Sequence, residues 1–94
     1  MKIKDEEVIL KITPKAIQKV EEMYKDFDVL KLLREAETTE KEPKASDYYK
    51  LIYTGYIGAT GIEIKYEDFL DLIEEYDLFE ISQIGVNLLV KGKN

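Results

Sequence analysis

This chain of 94 residues has no cysteine, no histidine and no tryptophan, and only two prolines, Pro14 and Pro43. Without cysteine there is no disulfide framework, no thiolate metal site and no thiol redox chemistry. Without histidine the most frequent general base is missing, so Ser46 and Ser82 have no imidazole to activate them. Long apolar runs are absent as well, and none approaches the roughly 20 residues that a membrane span requires. Behind Lys2 and Lys4, where a signal sequence carries its apolar segment, stands Asp5-Glu6-Glu7. Positive charge is also short, with 14 basic residues against 20 acidic ones and a net charge of −6. Nucleic-acid binding needs an electropositive footprint, and this chain has the opposite overall sign. The expectation is a soluble cytoplasmic protein that engages neither membrane nor nucleic acid.

The remaining content is that of a folded protein. Hydrophobic residues make up 45% of the chain, which argues against wholesale disorder. Residues 1–94 suit a single domain; a chain of this size buries roughly 60–65% of its unfolded surface, so its stability is modest without a partner. The acidic excess is localised. From Glu63 to Glu80 there are eight acids (Glu63, Glu67, Asp68, Asp71, Glu74, Glu75, Asp77, Glu80) against Lys65, a local net of −7. Such a stretch is either a solvated helix face or a surface complementary to a basic partner.

The middle of the chain is the opposite in character. Read as a helix, residues 47–61 place polar side chains only at Asp47, Lys50 and Thr54, one narrow stripe at three- and four-residue spacing. Apolar, aromatic or small residues cover nearly all the rest, the pattern of a helix buried in a core or against a partner. Ser46 is the expected N-cap, Asp47 favours the positive end of the helix, and Gly61 is the expected stop. Gly55 and Gly58 each cost about 1 kcal/mol relative to alanine inside a helix. A close approach of another backbone accounts for them; a kink, an early helix end or self-association through this helix are the competing accounts.

Around this segment the sequence predicts an all-α fold, a small bundle of about five short helices with a short N-terminal β-strand or extended arm. Residues 8–13 form that arm, Val8, Leu10 and Ile12 alternating on one side. Thr13-Pro14 starts a helix carrying Ala16, Ile17, Val20, Met23 and Tyr24. Asp26-Phe27-Asp28 breaks it and caps a second helix with Val29, Leu30, Leu33 and Ala36. Residues 37–45 lack apolar periodicity and contain Pro43, and so read as a mobile charged loop. After the central helix, Tyr66, Phe69, Leu70 and Ile73 share one face of a helix reaching Tyr76. Asp77-Leu78-Phe79-Glu80 has the spacing of a capping box. The last helix presents Leu78, Ile81, Gly85, Leu88 and Leu89, and Gly92 ends it.

No constellation for chemistry stands out. The adjacent pairs Glu21-Glu22, Glu67-Asp68 and Glu74-Glu75 lie away from the apolar helix faces, unlike catalytic carboxylates in partly apolar clefts. No Asp-rich loop with a pivotal glycine offers a divalent-cation site, and Gly55, Gly58 and Gly61 do not follow a strand as a phosphate loop requires. No catalytic residue, cofactor or metal is therefore predicted. Residues 10–17 resemble the opening of A-type iron–sulfur carriers, but those depend on cysteine ligands. Residues 66–90 can be laid out as a helix-turn-helix, yet its reading helix offers no base before Lys91.

Over residues 8–90 the pattern resembles the small tail assembly chaperones of long-tailed bacteriophages and prophages. The residues that carry the resemblance are the strand or arm running into Ile12-Thr13-Pro14-Lys15-Ala16-Ile17, the short helix ending near Leu33, the charged loop, Asp47-Tyr48-Tyr49-Lys50-Leu51-Ile52-Tyr53-Thr54-Gly55-Tyr56, and Tyr66-Glu67-Asp68-Phe69 opening an acidic helix. The resemblance implies a non-enzymatic helical protein that binds tape-measure and tail-tube proteins during tail assembly. It also implies a longer product made by ribosomal frameshifting, which a slippery run encoding Lys93-Asn94 would permit. Tyr48, Tyr49, Tyr53, Tyr56 and Phe79 are the candidate partner-binding residues, since tyrosine joins a large apolar area to a polar tip. Each of these tyrosines equally fits a core position with its hydroxyl at the surface, and a homo-oligomer built on the central helix would also use them. The alternative function is an acidic inhibitor or antitoxin-like regulator that engages a basic partner through the 63–80 face.

Overall fold

A computed structural model of the protein describes residues 1–37 and 44–91. The described residues form a two-stranded hairpin, β1 (Lys2–Ile3) and β2 (Glu6–Glu7), then α1 (Pro14–Met23), α2 (Val29–Glu37), α3 (Ala45–Thr60), α4 (Tyr66–Leu72) and α5 (Leu78–Lys91). This is the mainly helical architecture that the sequence pattern predicts, with five helices. Most of the expected loop, residues 38–43, and the expected stop at Gly92 lie outside the described residues.

Local chemistry sets most of the helix ends. The Thr13 hydroxyl accepts a hydrogen bond from the Ala16 amide at 3.0 Å, and Pro14 fills the first helical position, where no amide is needed. The Asp28 carboxylate accepts from the Lys31 amide at 2.9 Å and opens α2. Before α5, Glu80 N donates to Asp77 Oδ1 at 2.8 Å while Asp77 N donates to Glu80 Oε1 at 3.3 Å, completing the expected box. Gly61 closes α3 in the left-handed conformation at φ 73°, its amide donating to the Ile57 carbonyl at 2.8 Å.

Three boundaries differ from expectation. The α3 helix begins at Ala45, so Ser46 lies inside its first turn; the Asp47 carboxylate instead reaches back to the Lys44 amide at 3.0 Å. The α4 helix stops at Leu72, and turns cover the segment before α5. The strands are residues 2–3 and 6–7, pairing Lys2 with Glu7 and Ile3 with Glu6; Val8 still exchanges backbone hydrogen bonds with Met1, and the rest of the 8–13 arm runs on outside the strands. Lys4 and Asp5 both turn at positive φ, 53° and 61°. Tight hairpins demand that geometry, but its usual signature is Asn-Gly or Asp-Gly, which this turn lacks.

The core is built around α3. Residues 51–57 are all buried, and α1, α2, α4 and α5 each pack against this helix. The Thr54 hydroxyl donates to the Lys50 carbonyl at 2.8 Å, which lets a polar residue sit fully buried. The Lys50 ammonium lies 5.0 Å from the centre of the Phe27 ring. The N-terminal arm crosses the remaining side of α3. Lys11 N donates to the Gly55 carbonyl at 3.1 Å, and a β-carbon on Gly58 would stand 1.8 Å from the Lys11 carbonyl oxygen. The helix runs unbroken through both glycines, so they serve close backbone approach within one chain rather than a kink or early end. Among the described residues, no helix is long and apolar enough to cross a membrane.

Candidate protein-binding face

The five aromatic residues singled out from the sequence fall into three environments. Tyr53 is fully buried, its ring centre 5.2 Å from that of Tyr66, 5.5 Å from Phe69 and 6.2 Å from Tyr24. Its hydroxyl donates to the Ile64 carbonyl, which anchors the segment entering α4. Tyr56, 5% exposed, packs at 5.2 Å against Phe69. Within one chain these two rings are core and present almost no surface to a partner. Tyr48 and Tyr49 are half-buried near the start of α3, and the Tyr48 ring covers Gly85 of α5 so closely that a β-carbon there would meet it at 2.3 Å. Phe79 stands apart, 72% exposed in the first turn of α5.

Burial pushes the Tyr53 hydroxyl well above the ordinary tyrosine range, with further contributions from Tyr24 and Glu63; burial likewise raises Tyr66. The folded-state value exceeds the unfolded one, so the stabilisation is complete below pH about 10 and is lost as pH rises beyond it. Unfolding measured between pH 9 and 11.5 should therefore show stability falling above pH 10. For Tyr53→Phe the fall should be shallower by up to about 1.4 kcal/mol per pH unit. Parallel profiles for the two proteins would show that Tyr53 does not hold its proton.

Phe79 belongs to a larger feature. The inner side of α5 buries Ile81, Gly85 and Leu88 against α3. On the opposite side Phe79, Gln83, Val86 and Val90 are exposed, at successive spacings of four, three and four residues, one continuous stripe on a helix. Residues 81–90 contain no ionisable side chain, in a chain of which 36% is Asp, Glu, Lys or Arg. The sequence points to Phe79 but not to Val86 and Val90, which lie off the inner apolar face of this helix. The signal that finds them is the missing charge on the outer face. Beside α5, the arm contributes Ile9, 78% exposed, at a groove of about 220 Å³ shared with Leu10, Ile84 and Leu88.

The acidic stretch is a surface of a different kind. Glu67, Asp68, Asp71, Glu74 and Glu75 are all exposed. Of the ion pairs among the described residues, the Met1 amine with Glu7 at 3.0 Å lies elsewhere, and Lys19 at 2.7 Å from Glu63 engages only the first acid of the stretch. The Glu63 carboxylate, through its hydrogen bond and charge, raises the pKa of Lys19. Among the described residues no group of three or more carboxylates is placed to hold a metal ion. Compared with protein-family models, curated proteins and solved structures, the chain matches none of them.

Proposed function

We propose that this protein is a non-enzymatic tail assembly chaperone of a phage or prophage, which binds tape-measure and tail-tube proteins while the tail is built. The observation that carries the reading is the uncharged outer side of α5, with Phe79 largely exposed at its start. A tape-measure protein is a long helix with apolar seams that aggregate until the tube covers them. A chaperone for it needs an apolar surface on which such a seam can lie, read through anchors at helical spacing. Phe79, Val86 and Val90 supply those anchors, and Phe79 is the aromatic one, the kind of residue that dominates interface energetics.

The test is affinity capture of the tape-measure and tail-tube proteins encoded in the same genome. Wild-type protein should retain at least one of them. Phe79→Asp should weaken capture by a factor of about 30, the loss of an aromatic hot spot worth about 2 kcal/mol. Its thermal midpoint should stay within about 4 °C, since an exposed position away from structural features rarely shifts stability by more than about 0.5 kcal/mol. Unchanged capture by the variant removes α5 from the interface, and no capture by either protein removes the chaperone reading.

A second reading keeps a specific observation behind it. The exposed carboxylates from Glu67 to Glu75 have no ion-pair partners among the described residues, as expected of an inhibitor or antitoxin-like regulator that meets a basic target. Ionic strength separates the two. An acidic-face complex should weaken steeply between 0.05 and 0.5 M salt, on the order of a Debye-length change from about 14 to 4 Å, whereas an apolar one should not.

A further inference from the structure

We infer that the outer side of α5 pairs with the same side of a second copy of this chain, the two helices running antiparallel. The stripe itself is self-complementary. Its spacings of four, three and four read identically from either end, so an antiparallel partner meets it in register. Phe79 then lies against Val90 of the other copy, and Gln83 against its Val86. Charge agrees with that direction. The helix holds one acid, Glu80, near its start and one base, Lys91, at its end, with the capping carboxylate of Asp77 just before it. Antiparallel pairing brings the basic end of one helix beside the acidic end of the other, and opposes the two helix dipoles. Parallel pairing would place acid on acid.

Area bounds the size of the contact. Phe79, Val86 and Val90 are 72%, 43% and 60% exposed. With Gln83 these side chains offer roughly 400 Å² per copy, so the pair buries on the order of 800 Å² in total, the size of a weak, transient contact. Association through so small a surface is weak and reversible. In the chaperone reading this pairing covers the client face until a client displaces it. That role rests on the proposed function, whereas the pairing itself rests only on α5.

Two measurements on the full chain decide it. Sedimentation velocity from about 1 µM to 1 mM, concentrations at which weak contacts associate, should show a monomer–dimer equilibrium. Val86→Glu, which sets a charge at the centre of the stripe in both copies, should leave only monomer without lowering the thermal midpoint. Because the chain has no cysteine, direction can be read by cross-linking. An equimolar mixture of Phe79→Cys and Val90→Cys proteins should give a covalent dimer with a short bismaleimide, and Phe79→Cys alone should not, the two positions being about 16 Å apart along one helix. A dimer from Phe79→Cys alone, a dimer that Val86→Glu leaves intact, or a wild-type monomer throughout the range each overturns the inference. Client capture in the Phe79→Asp experiment reports separately, so a monomer whose capture is Phe79-dependent sinks the pairing and leaves the chaperone reading standing.

Discussion

Tyr53→Ala is expected to lower stability by about 4 kcal/mol, within the range for removing a large buried ring. Three terms contribute. The ring is fully buried among Tyr24, Phe27, Tyr66 and Phe69, with centre distances of 5.2 to 6.3 Å, so its removal leaves a cavity in the aromatic cluster of the core. The hydroxyl is lost from the Ile64 carbonyl, which must then find water or remain unpaired, costing about 1 kcal/mol or more. Edge-on aromatic contacts add roughly 0.5–1.5 kcal/mol beyond burial for each favourable pair. Against these losses, alanine gains about 0.5 kcal/mol of helix propensity. A small domain has only about 5–10 kcal/mol of total stability, and each kcal/mol is worth roughly 4–8 °C at this size. The variant should melt about 20 °C lower, or be unfolded at 37 °C. A midpoint within 5 °C of the wild type would show that the ring is not part of the core.

That result bears on function as well as on stability. If Tyr53 and Tyr56 formed a partner surface, their alanine variants would fold normally and lose capture. Buried as they are, their replacement should instead abolish capture by unfolding the chain, and only Phe79→Asp separates the two effects. The central segment was legible as a helix that must be surrounded, because its polar residues occupy a single stripe. What surrounds it was not legible, since burial within a chain and burial between chains leave the same pattern of apolar residues. The helix starts at Thr13 and Asp77 and the stop at Gly61 were readable, each resting on a few neighbouring residues. The Lys4-Asp5 turn was not, because its positive φ values are imposed by the pairing of Lys2 and Ile3 with Glu7 and Glu6 rather than by glycine. The outer stripe of α5 was legible in principle. It needed attention to where charge is missing from a surface helix rather than to where apolar residues recur.

Gly58→Ala is expected to destabilise the protein by about 2 kcal/mol, while Gly55→Ala stays within about 1 kcal/mol of wild type, and the contrast isolates the contact with the arm. Both substitutions gain about 1 kcal/mol of helix propensity, so propensity alone predicts that both stabilise. At Gly55 the new β-carbon meets its nearest atom, Leu10 Cβ, at 3.1 Å, a gap that a few tenths of an ångström of movement relieves. At Gly58 it falls 1.8 Å from the Lys11 carbonyl oxygen and 3.0 Å from the Lys11 carbonyl carbon. Backbone cannot rotate away as a side chain can, so the arm must lift. Lifting breaks the bond from Lys11 N to the Gly55 carbonyl and withdraws buried Leu10 from the core, at about 1 and 2 kcal/mol respectively. Amide hydrogen exchange locates the damage. In Gly58→Ala the Lys11 amide should lose its protection while the Gly61 amide at the end of α3 keeps it, because the helix is undisturbed. Equal stability of the two variants, or loss of protection at Gly61 rather than at Lys11, would mean that the arm does not lie against α3 as described.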